Sequence, residues 1–215
     1  MSGRLAIFDL DGTLVDSSRD LATAGNAARQ ALSLPALALP DIVAFIGDGV
    51  NQLIERLTPQ CTSAERERAA AAFHSVYRRV LCDQTRPYAG IPEVLRALLD
   101  SGWTLGVATN KRLDYTELIL AGCGLRHCFS AVRGGDVTRK PDPTALREIM
   151  QATHRLEPRG WMIGDHHTDI QAGHAAGVQV AFCTWGLGQR HGLSVEGVVA
   201  HPAELLPLLR GQAAA

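Results

Sequence analysis

Apolar residues along this chain fall into two textures. Leu5 to Phe8 is an unbroken apolar run stopped by Asp9, the pattern of a strand buried on both faces and therefore of a parallel sheet. Residues 17–33 are Ala-rich with capping residues at the front and predict a helix. A loop containing Pro35 and Pro40 follows, then a helical stretch around 41–57, then a helix from about Ser63, opened by a near capping box (Ser-Ala-Glu-Arg), to Leu81. No strand candidate interrupts 16–83. After Pro87 short apolar runs at 103–108, 129–132, 160–163 and 178–182 alternate with helical segments at 92–100, 112–121, 142–153, 168–176 and 202–210. Such alternation predicts an α/β fold with a doubly wound parallel sheet. Its first strand is separated from the others by the helical stretch, so residues 1–15 and 84–215 are expected to form the core, with 16–83 as an all-helical insertion. In sheets of this kind ligands bind at the carboxyl ends of the strands, near a switch point.

Composition narrows the partners. With 46% hydrophobic and 20% charged residues the chain is of globular type, and a formal net charge of −1 supplies no bulk field for nucleic acid or anionic lipid. Neither is expected as a partner, and any anion site must be local. The five cysteines form no CxxC pair and are odd in number, so they are expected to be reduced thiols. No signal-peptide core or membrane-length apolar stretch is present, and the expected compartment is the cytoplasm. Of 21 basic residues only Lys111 and Lys140 are lysines. A mechanism that needs a lysine has two candidates.

The candidate chemistry lies where strands end. Asp9, Leu10, Asp11, Gly12 and Thr13 follow the first strand; Thr109, Asn110 and Lys111 follow 103–108; Lys140 stands in Arg-Lys-Pro-Asp-Pro; Asp165 follows 160–163, with Asp169 four residues on. Asp-Gly is also a hairpin signal, Thr-Asn and Asp165 are also helix caps, and a lone lysine is ordinarily a solvated one. Against the turn, Leu5 to Phe8 lacks the alternation of an edge hairpin. Positions i and i+2 on an extended segment face the same way, so Asp9 and Asp11 can address one ligand as nucleophile and acid/base. Asp165 and Asp169 together with Asp9 supply the hard oxygens that Mg²⁺ prefers.

Asp9-Leu-Asp-Gly-Thr-Leu-Val-Asp16, Val107-Ala-Thr-Asn-Lys111, Lys140-Pro-Asp-Pro and Gly164-Asp-x-x-x-Asp169 resemble the four ordered motifs of the haloacid dehalogenase-like hydrolase superfamily. Residues 16–83 are similar to its small helical cap. Asp16-Ser-Ser-Arg-Asp-Leu21, Phe45-Ile-Gly-Asp-Gly49 and Gly134-Gly-Asp136 further resemble the phosphoglycolate phosphatase branch. The resemblance implies a Mg²⁺-dependent phosphomonoesterase acting on a small phosphate ester such as 2-phosphoglycolate. Asp9 is then the nucleophile that becomes an aspartyl-phosphate, and Asp11 the acid that protonates the leaving alkoxide and then activates water. Thr109, Asn110 and Gly12 would bind phosphate, Lys140 would neutralise Asp9 and phosphate, and the metal would lie among Asp9, Asp11, Asp165 and Asp169.

The sequence departs from the branch at His166 and His167, where a small hydroxyl residue commonly follows the acid. Two imidazoles beside two carboxylates allow a softer metal than Mg²⁺, or a role in shaping the rim. The alternatives that stay open are a sugar-phosphate mutase, a nucleotidase or pyrophosphatase of the same superfamily, and a non-catalytic phosphate-binding protein. The mutase branch uses a His just past the first motif, and here none occurs before His74. Among the cap arginines, Arg19 is the expected reader of a substrate carboxylate, because it sits one turn from the first motif. The oligomeric state is left open by the sequence.

Overall fold

A computed structural model of the protein describes residues 4–154 and 160–211. The outer ends of the expected core, 1–3 and 212–215, and the segment 155–159 lie outside the described residues.

The strands expected from apolar runs form the centre of one parallel sheet: β1 (Leu5–Phe8), β4 (Thr104–Ala108), β5 (Ala131–Arg133), β6 (Gly160–Gly164) and β7 (Gln179–Cys183). A short strand β8 (Gly197–Val199), not expected from the sequence, completes the edge. The order is β5-β4-β1-β6-β7-β8. The chain winds outward from β1 through β4 to β5, then returns to place β6 on the other side of β1. That reversal is the switch point, and it puts Phe8 beside both Val107 and Ile163. The Asp9 N–H continues the ladder to the Ile163 carbonyl at 2.9 Å, so Asp9 leaves β1 directly beside the end of β6.

Helices α5 (Ile91–Asp100), α6 (Leu113–Gly122), α7 (Thr144–Ala152), α8 (His167–Ala176) and α9 (Leu205–Leu209) accompany the sheet. Ile7, Ile149 and Met162 pack in one apolar layer, Phe8, Leu95 and Leu105 in the other, which is why the central strands read as continuous apolar runs.

Between β1 and β4 the chain forms α1 (Ser18–Gln30), α2 (Leu39–Val43), α3 (Val50–Leu57) and α4 (Ser63–Val80). Two expectations need correcting. The stretch 41–57 is two helices rather than one, because Gly47 and Gly49 take φ of +125° and +87°, a region closed to a continuing helix. The helix expected from Ser63 is capped by Thr62, whose side chain and that of Glu65 form a full capping box. Strands also intrude at the edge of this block, since β2 (Val15–Asp16) and β3 (Arg86–Pro87) pair antiparallel as the chain leaves and re-enters the sheet region. Among the described residues no helix is long and apolar enough to cross a membrane.

Candidate active site

The carboxyl ends of β1, β4 and β6 and the loop before α7 converge on one buried charge cluster. The Lys140 ammonium lies 2.8 Å from Asp9 Oδ1 and 2.7 Å from Asp169 Oδ1, and it donates to the Ala108 carbonyl at 2.6 Å. Lys140 is 4% exposed. Burial alone would lower its pKa, but Asp169 and Asp9 outweigh that and hold it above the usual lysine value. The ammonium therefore stays charged.

Asp165 is fixed from three directions. The Thr13 hydroxyl donates to Oδ1 at 2.8 Å, and the N–H groups of Leu187 and Gly188 donate to Oδ2 at 2.9 Å each. Gly12, at φ +85°, passes so close that a Cβ there would meet Asp165 Oδ2 at 2.2 Å, so only glycine fits the turn against this carboxylate. Asp169 accepts from the His166 N–H at 3.0 Å as it opens α8. Burial, reinforced by Asp9 and Asp169, pushes Asp165 up to about 7. Burial also pushes Asp169 up to about 6, against the pull of Lys140.

Asp9, Asp165 and Asp169 each bring one oxygen within 4.8 Å of the others, all three residues being buried. Asp9 Oδ1 and Asp169 Oδ1 accept no well-aligned hydrogen bond, despite lying close to the lysine. Three buried carboxylates facing one ammonium, with oxygens left over, are a donor set that fits a hard divalent cation such as Mg²⁺.

Asp11 faces a cleft lined on the sheet side by Asp9, Asp11, Thr109 and Lys111 and on the helical side by Leu53 and Phe73. The Ser17 hydroxyl donates to Asp11 Oδ1 at 2.5 Å, and Lys111 Nζ stands 3.0 Å from Oδ2. Thr109 is buried at the end of β4. The Asn110 side chain is fully engaged: Nδ2 donates to the carbonyls of Gly47 and Lys140, at 3.0 Å each, and Oδ1 accepts the Lys140 N–H at 2.7 Å. Any phosphate contact from Asn110 thus falls to its backbone N–H.

The structure brings Asp9, Asp11, Gly12, Thr109, Asn110, Lys140, Asp165 and Asp169 together. It does not bring Arg19. That residue is exposed and does not line the cleft. Helix α1 turns Ser17 toward Asp11 and buries Asp20, which accepts the N–H groups of Gln84 and Thr85, so position 19 between them faces outward.

Two residues without an assigned role in the sequence stand in its place. Lys111 is buried to 6% side-chain exposure and donates to the Tyr77 hydroxyl at 2.6 Å. Burial depresses the ammonium, but Asp11 and Tyr77 outweigh it and hold the pKa above its ordinary value. The scarcity of lysine is the available signal, since only two lysines occur, one against Asp11 in the cleft and the other against Asp9 in the buried charge cluster. Tyr77 carries no such signal, because an aromatic on a helix at helical spacing looks like ordinary core.

The haloacid dehalogenase-like hydrolase model matches residues 6–183. The chain belongs to the haloacid dehalogenase-like hydrolases. It is a phosphatase within that family and lies in the branch whose relatives carry the name phosphoglycolate phosphatase. The one from Aquifex aeolicus is 30% identical over 208 residues, covering 96% of each chain. The one from Cereibacter sphaeroides is 35% identical over 212 residues, covering 95% of this chain and 96% of the other. A crystal structure of a predicted phosphoglycolate phosphatase from Haemophilus somnus superposes with a TM-score of 0.90 at 29% identity, covering 97% of this chain and 98% of that one.

Proposed function

We propose that this phosphatase hydrolyses a small phosphorylated acid such as 2-phosphoglycolate, with Mg²⁺, through an aspartyl-phosphate on Asp9. The observation that carries this reading is the pairing of Asp9 with Lys140 at 2.8 Å at the wall of a cleft that also holds Asp11. An anionic nucleophile cannot approach a phosphate dianion unless cations cancel charge, and phosphoryl transfer depends on positioning and charge cancellation more than on bond-making groups.

In this reading a carboxylate oxygen of Asp9 attacks phosphorus while Lys140 and the backbone N–H of Asn110 offset the phosphate charge. Thr109 bonds a phosphate oxygen. Asp11 gives a proton to the leaving alkoxide and later takes one from the water that cleaves the acyl phosphate. Mg²⁺, held by Asp9, Asp165 and the Asp11 carbonyl with Asp169 in support, would supply further positive charge at the phosphate. The turn at Gly12 sets the position of Asp165.

Residues 16–83 serve in this reading as a cap over residues 1–15 and 84–215. Leu53, Phe73 and Tyr77 from the helical segment line the cleft opposite Asp9 and Asp11, which supports that division. The five free cysteines agree with a reducing compartment such as the cytoplasm.

A comparison of kcat/KM across phosphorylated acids, sugar phosphates, nucleoside monophosphates and pyrophosphate, with Mg²⁺ present, tests the reading. Phosphorylated small acids are expected to lead. A flat profile across acidic and neutral esters would remove 2-phosphoglycolate as the preferred substrate.

A further inference from the structure

A second group of metal-ligating side chains adjoins the acidic cluster without sharing a ligand with it. Asp48, in the loop between α2 and α3, and His166 and His167, at the start of α8, each bring one donor atom within 4.8 Å of the other two. His167 Nδ1 is buried and has no hydrogen-bond partner. An imidazole nitrogen left bare in the interior is costly unless something binds it.

The neighbours orient the other two donors. His166 Nδ1 accepts the Thr168 N–H at 3.4 Å where it caps α8 and lies 2.9 Å from the Thr168 hydroxyl, so a metal on Nε2 requires the ring proton to move to Nδ1, where that hydroxyl can accept it. Arg56 holds Asp48 through Oδ2 at 2.5 Å and also donates to the Phe45 carbonyl at 3.1 Å, which leaves Asp48 Oδ1 to a ligand. The loop is seated closely as well, for a Cβ on Gly47 would lie 2.7 Å from the His166 ring. A third imidazole, His191, meets His167 edge to face with ring centres 4.9 Å apart.

We propose that Asp48, His166 and His167 form a metal site for a first-row transition-metal dication, Zn²⁺ foremost, which staples the loop between α2 and α3 to the start of α8. Two nitrogens and one oxygen suit Zn²⁺, with water in the fourth position, and do not suit Mg²⁺, which keeps to oxygen. With metal–ligand bonds of about 2.1 Å the donors would stand roughly 3.4 Å apart, so closing the site takes side-chain movement of about 1 Å. Asp48 comes from the helical segment and the histidines from the sheet side, and Gly47 and Gly49 line the cleft between them. A metal here restrains the helical segment against the core, and turnover slows.

The test uses the full chain with Mg²⁺ in large excess, so that the acidic cluster is occupied. Co²⁺ is titrated and followed by its visible absorption, and Zn²⁺ by calorimetry. One equivalent is expected to bind the parent chain and the Asp9→Asn variant alike. Affinity should drop in both His167→Gln and Asp48→Asn by at least the roughly 10- to 100-fold that loss of an outer-shell partner costs. Either variant suffices should the other fail to fold. Wild-type affinity in both variants, loss of binding in Asp9→Asn, or displacement by Mg²⁺ would overturn the site. Zn²⁺ should also slow phosphate release by the parent chain at least tenfold more than by His167→Gln; equal inhibition of the two, or none, would overturn the stapling.

Discussion

Lys111 and Asp11 form an ion pair at 3.0 Å at the floor of the cleft, with the lysine also bonded to the Tyr77 hydroxyl. On the proposed reading, a substrate carboxylate entering beside the phosphate would meet this ammonium and, by engaging it, release Asp11 for proton transfer. A charge-assisted contact contributes about 1.5 to 3 kcal/mol, so Lys111→Met should lower kcat/KM for 2-phosphoglycolate by about 10- to 150-fold. p-Nitrophenyl phosphate, which lacks a carboxylate and has a good leaving group, should lose far less. Equal losses on the two esters, measured by phosphate release, would take Lys111 out of carboxylate recognition.

Arg19→Ala should leave kcat/KM for either ester within about twofold, since an exposed side chain away from the cleft changes neither binding nor stability by more than about 0.5 kcal/mol. A tenfold loss specific to 2-phosphoglycolate would return Arg19 to the site.

Asp9→Asn should abolish turnover, on the order of 10³-fold or more, with the thermal transition retained, because an amide is a poor nucleophile. Asp11→Asn should instead accumulate phosphate on Asp9 when mixed with an activated ester, as the second step has lost its base. Intact mass after acid quench reads both variants. An unmodified Asp11→Asn chain would count against a covalent intermediate.

Asp165 connects pH to stability. Burial and its carboxylate neighbours raise it from 3.8 to about 7, so without a bound cation the folded chain keeps this proton at pH values where the unfolded chain has lost it. The resulting stability is complete below pH 3.8 and is lost as pH rises through about 7. Asp165→Asn removes the titration. In chelator, the melting temperature of the variant minus that of the parent should climb between those limits and then level off. Mg²⁺ favours the ionised carboxylate and should narrow the gap. Melting curves across pH check both points, and a difference that stays flat would show that folded Asp165 holds no such proton.

The parts of this fold visible in the sequence are those whose signal is local. Leu5 to Phe8 reads as a buried strand because both faces are covered, and the ends of β1, β4 and β6 announce themselves with Asp9, Thr109 and Asp165. β2 and β3, two residues each, carry no period and escape, as does β8, where Val198 is half exposed. The helix expected over 41–57 failed because two glycines, not a proline, broke it. The partnership of Lys111 with Asp11 and Tyr77 spans residues far apart in the chain, and no spacing rule connects them. Arg19 illustrates the opposite: it is near the first motif in sequence but not in space, because the chain turns its neighbours Ser17 and Asp20 inward instead.

Asn110 offers one carbonyl and two N–H bonds, and all three are committed to backbone, two of them to Lys140 and one to Gly47. The loop that carries Gly47 therefore cannot withdraw without stranding an N–H next to the residue that neutralises Asp9. A buried donor left bare costs about 1–3 kcal/mol, so a single amide acts as a latch whose state is felt at once by the entrance to the cleft and by the charge at its centre.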